Sequence, residues 1–84
     1  MKTTGMIIRG ERKKLGMKVY ELAQKVGVDP VYITQIEKHN KLPSINVFLD
    51  IEKYLKLPTS VRMDYFSEKH PDLFKVLFRE KLGL

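Results

Sequence analysis

The chain has 84 residues, with 16 basic and 10 acidic side chains, a net charge of +6 and no cysteine. That length suits one small domain with a modest core, and the lack of cysteine excludes disulfides, thiolate nucleophiles and cysteine-based zinc sites and fits a reducing cytoplasm. No apolar run near Met1 reads as a secretory leader, and none approaches the roughly 20 residues that cross a bilayer.

Charge is unevenly placed. Nine basic residues stand against four acidic ones up to Lys41, and seven against six beyond it. A basic half suits a polyanion, and the near-neutral half is free for another use. Met1 to Gly5 reads as a loose arm in which Thr3 or Thr4 caps a first helix over Met6–Leu15. Ile7, Ile8 and Leu15 supply its apolar contacts, while Gly10 weakens it by about 1 kcal/mol relative to alanine. Gly16 and Met17 turn the chain into a second helix, Val19–Val26. There Leu22, Ala23 and Val26 share a face, and Lys18 leaves the first turn without a side-chain cap.

Gly27 can end that helix in the left-handed conformation, and Asp29 and Pro30 suit the cap and first position of the next. The third helix runs from Pro30 to about Lys38, with Ile33 and Ile36 facing the second. Asn40 is the better candidate than His39 for a left-handed residue after it. Ser44 caps a fourth helix, Ile45–Leu55, whose buried stripe is Val47, Phe48, Ile51, Tyr54 and Leu55. Leu57-Pro58 breaks the chain before a fifth helix, Ser60–Glu68, with Val61, Met63, Tyr65 and Phe66. His70-Pro71 breaks it again before a sixth, Pro71–Leu82, rich in apolar residues. The fold is expected to be all-α.

Ala23, Gly27 and Ile33 stand four, eight and fourteen residues after Val19. This stretch, Val19 to Lys38, resembles the helix-turn-helix of Cro/phage-repressor (Xre-type) DNA-binding regulators. A small residue lets the two helices cross closely, glycine makes the turn, and a β-branched residue fills the wedge. The resemblance extends over about residues 6–66. It implies a lambda-repressor-like bundle of about five helices over residues 1–66, with residues 67–84 as a C-terminal helical extension.

From that resemblance the third helix is expected in the major groove of double-stranded DNA, presenting Val31, Thr34, Gln35 and Lys38 to base edges. Gln35 can bond N7 and N6 of adenine, Thr34 an acceptor or a thymine methyl, and Val31 a methyl only. Tyr32 has two possible uses, packing beneath the helix or reaching a phosphate with its hydroxyl, and packing is the expected one. Arg9, Lys18, Val19, Asn40 and Lys41 match backbone-contact positions, and the start of the second helix favours an anion. Val19 departs from the glutamine common in relatives, and Pro30 and Val31 stand where polar side chains are usual, which weakens the reading surface. Arg12 and Glu37 match the family's structural ion pair. The resemblance further implies a homodimer on a palindromic operator, with half-sites about 34 Å apart. Phe74, Leu77 and Phe78 are the expected interface, the other possibility being that the last helix covers the monomer's own core.

His70-Pro71-Asp72 copies the tripeptide of J-domain co-chaperones, but too little chain follows it for that fold. A proline-started helix with Asp72 at its positive end is the simpler account. No catalytic motif, phosphate loop or metal-ligand cluster is present, so neither enzyme activity nor a cofactor is expected. The rival function is an antitoxin or partner-binding regulator whose main contact is a protein on the last helix. No membrane association is expected.

Overall fold

The computed structural model describes the backbone of residues 3–82 and the side chains of residues 3–76. Six helices follow one another: α1 Thr4–Lys14, α2 Val19–Val26, α3 Pro30–His39, α4 Ile45–Leu55, α5 Thr59–Lys69 and α6 Pro71–Leu82. The described residues contain no strand.

The caps explain most of the boundaries. Thr3 accepts a hydrogen bond from the Met6 N–H at 3.2 Å, so α1 starts at Thr4, two residues before the predicted start. What reads as a loose arm is therefore partly helix, and both Thr4 and Gly5 are buried. The Lys18 ammonium has no lone pair to offer the start of α2, but the Glu21 carboxylate accepts the Lys18 N–H at 3.1 Å. Gly27 ends α2 at φ 73°, and the Val28 N–H returns to the Ala23 carbonyl at 3.0 Å. Asp29 then accepts the Val31 N–H at 2.8 Å. Asn40 closes α3 at φ 48°, as the sequence predicts. Ser44 caps α4 through the Val47 N–H at 3.4 Å. Lys56 takes the left-handed conformation at φ 53° that ends α4, a place where no glycine or asparagine signals it.

The core joins Ile8 of α1, Leu22, Ala23 and Val26 of α2, Ile33 and Ile36 of α3, Phe48, Ile51 and Leu55 of α4, Leu57, and Val61 and Tyr65 of α5. The Tyr65 ring stacks on Phe48 with centroids 4.1 Å apart, and its hydroxyl donates to the Pro43 carbonyl. Three expected apolar contacts lie elsewhere. Leu15 follows the last residue of α1 and is exposed. Tyr54 is exposed because the buried stripe of α4 runs 48–51–55 and leaves position 54 to one side, near Lys25 and Lys53. Met63 is exposed because Val61 and Tyr65, one turn apart, form the inner face of α5.

α2 packs on α3 and α4, and α1 packs on α3, α4 and α5. Arg62 reaches back to Glu52 with two nitrogens, tying α5 to α4. α6 has its main packing on α5, and α5 runs on to Lys69, so the break between them lies at His70.

Candidate nucleic-acid interface

Exposure alternates along α3 with the helical period. Ile33, Ile36 and Glu37 are buried, whereas Val31 and Lys38 are exposed and Thr34 and Gln35 half-exposed. Val31, Gln35 and Lys38 sit at i, i+4 and i+7, on one outward face. The four residues expected to meet base edges are thus on the open side of the helix. The Thr34 hydroxyl donates to the Pro30 carbonyl at 3.2 Å, which leaves its oxygen as an acceptor and its methyl for apolar contact. Tyr32 is half-buried against the core, and the Lys41 ammonium lies 4.9 Å from its ring centre.

α3 is held from behind by an ion pair. Arg12 Nε donates to Glu37 Oε2 at 2.8 Å and Nη2 to Oε1 at 2.9 Å, while Nη1 donates to the Met17 carbonyl at 2.7 Å. Both residues are nearly buried. The hydrogen bond to Glu37 raises the Arg12 pKa above its already high value, with the Glu37 charge adding to it and burial opposing it. The pair therefore fixes three elements at once: α1, the turn after it, and the last turns of α3.

The positions expected at the DNA backbone have mixed settings. Arg9 and Lys18 are exposed, and Val19 is half-buried against the core. Asn40 has a structural use as well: its side-chain oxygen accepts the Gly5 N–H at 3.3 Å. The Lys41 ammonium donates to the Gln35 side-chain oxygen at 3.3 Å. At the start of α2 the Glu21 carboxylate sits on the Lys18 N–H, so that end is partly neutralised and favours an added anion less than its free N–H groups suggest.

Gly5, which pattern-reading passes over, and Thr4, expected only as a possible cap, both hold α1 in place. The Gly5 backbone packs directly on α3, and a Cβ there would lie 2.0 Å from the Ile36 carbonyl oxygen. Thr4, beside it, donates to Glu68 of α5 at 2.8 Å. A cap followed by glycine at a helix start is a faint signal of such close approach. Of the residues expected at a dimer interface, Phe74 is half-buried, and the side chains of Leu77 and Phe78 lie outside the described residues.

The helix-turn-helix family model matches residues 8–61, about two thirds of the chain and everything from the inner face of α1 into α5. The chain belongs to the Cro/phage-repressor (Xre-like) helix-turn-helix family. Members are DNA-binding regulators, and α2 and α3, the helix pair expected to form the motif, both lie within the matched residues. No curated protein and no solved structure matches the chain.

Proposed function

We propose that this helix-turn-helix protein is a sequence-specific transcriptional repressor that acts in the cytoplasm as a homodimer on a palindromic operator. The outward face of α3 carries this reading. Val31 is 62 % exposed, and Gln35 and Lys38 follow it along the same face, backed by the Arg12–Glu37 pair. Val31, Thr34, Gln35 and Lys38 read base edges. Arg9, Lys18, Lys41 and the Asn40 amide group contact phosphates, with Val19 beside them, and these set register and salt dependence. Residues 1–66 form the DNA-binding unit, and residues 67–84 the dimerising extension.

A second reading rests on α6. Leu73 and Val76 are 53 % and 54 % exposed and lie three residues apart, a pattern that also suits a protein partner, as in an antitoxin.

Selection from a random duplex pool at two salt concentrations tests the first reading. An enriched inverted repeat is the expected result, with binding that falls as salt rises. A stable one-to-one protein complex, with no enriched duplex, would favour the second. Lys18→Ala is expected to weaken binding to every duplex alike, and a loss confined to one base position would remove it from the phosphate set.

A further inference from the structure

Gln35 and Lys41 are six residues apart, and the chain reversal at Asn40 brings them together. The left-handed Asn40 (φ 48°) returns the Lys41 N–H to the Gln35 carbonyl at 3.1 Å. Its own side chain is anchored by the Gly5 N–H, so this reversal is tied to α1. The Lys41 ammonium then meets the Gln35 side-chain oxygen at 3.3 Å and lies 4.9 Å from the Tyr32 ring centre. An ammonium only donates hydrogen bonds, so the oxygen of the Gln35 amide must face it and the NH2 group must face away.

We propose that Lys41 is a specificity-determining residue: it turns Gln35 into a donor, so that the pair reads guanine in place of the adenine a free glutamine takes. The inference rests on the DNA-reading function proposed above and names the base class of one position. Guanine offers two major-groove acceptors, N7 and O6, whereas adenine offers N7 and an N6–H2 donor. The outward NH2 of Gln35 suits N7. The ammonium has two donors left after bonding Gln35, which suit O6 or a neighbouring phosphate. Adenine brings its N6 hydrogens toward an amide oxygen already shared with a positive charge, and like-signed hydrogens then oppose each other. The Tyr32 ring favours keeping the cation in place.

The test is the same duplex selection run on the full chain, Gln35→Ala and Lys41→Met, with thermal melting to check that each is folded. Lys41 is exposed, so its replacement leaves the core intact. Gln35→Ala identifies the position that Gln35 reads by flattening it. At that position the unaltered chain is expected to prefer guanine over adenine about tenfold. Lys41→Met is expected to move the preference to adenine and to leave the other positions as they were. Adenine at that position in the unaltered chain, or a guanine preference that Lys41→Met leaves intact, would overturn the assignment while the DNA-reading function stands. No enriched sequence at either salt concentration would remove both.

Discussion

Two glycines in one helix have opposite settings. A Cβ at Gly5 meets the backbone of Ile36, whereas a Cβ at Gly10 meets nothing within 4 Å. Gly5→Ala must push α1 off α3, and a loss of about 1–3 kcal/mol is expected, as for other overpacked sites. Gly10→Ala removes only the entropic weakness of glycine within a helix, and a gain of about 0.5–1 kcal/mol is expected. Urea unfolding of both variants checks the signs. The Arg12–Glu37 pair gives a second test at this scale. Glu37→Gln leaves a nearly buried guanidinium without its counter-charge, and a loss of about 3 kcal/mol is expected. Replacing both partners by apolar residues of similar size, Arg12→Met with Glu37→Leu, should cost much less, because no charge is then stranded. A double-mutant cycle by thermal melting measures the difference, and strictly additive losses would argue against a coupled pair. The sequence marks Arg12 and Glu37 only through the family resemblance, since nothing local distinguishes Arg12 from Arg9 or Lys13. The pairing depends on α1 crossing α3.

At the scale of elements, α5 fastens the loop after α3. Tyr65 donates to the Pro43 carbonyl and Lys69 to the Leu42 carbonyl at 3.3 Å. Burial pushes the Tyr65 hydroxyl above its ordinary value, with a smaller contribution from Tyr32. An acid whose folded pKa is raised holds its proton longer in the folded state than in the unfolded one. Its contribution is complete below the unfolded value near 10 and is lost as pH climbs through the raised folded value. Tyr65→Phe is therefore expected to be less stable at pH 8 by about 1 kcal/mol, the worth of one hydrogen bond. The gap should close as pH rises past 10, because only the unaltered chain carries this titration. Denaturant midpoints measured from pH 8 to 11 check this, and parallel curves would contradict it. The boundaries of α2 and α3 are legible in sequence because glycine, aspartate and proline act locally. Lys56 carries no such mark: it adopts φ 53° because the Leu57 N–H closes on the Glu52 carbonyl, which brings Leu57 into the core.

At the scale of the whole molecule, the extents are 44 × 23 × 20 Å and the radius of gyration is 13.5 Å. A compact chain of this length is expected near about 12 Å. The excess fits a sixth helix whose main contact is its neighbour α5. In the proposed homodimer Leu73 and Val76, which neighbour the expected interface residues Phe74 and Leu77 along α6, border the seam, and Leu73→Asp combined with Val76→Asp should give a monomer by sedimentation velocity. Its melting temperature at low protein concentration should be little changed, since both side chains are exposed. An unchanged sedimentation coefficient would remove these residues from the interface.

The sequence by itself determined the six helices and most of their caps, because capping chemistry and the 3.6-residue period act over a few neighbouring residues. Its apolar pattern also identified Ile8, Leu22, Ile33, Ile36, Phe48 and Ile51 as inward-facing positions. The tertiary structure alone decided that Gly5 lies against Ile36, that Leu15, Tyr54 and Met63 face outward, and that Lys41 meets Gln35 and Tyr32. Each of these depends on how closely two helices cross or on where a reversed chain lands, and no local pattern encodes that.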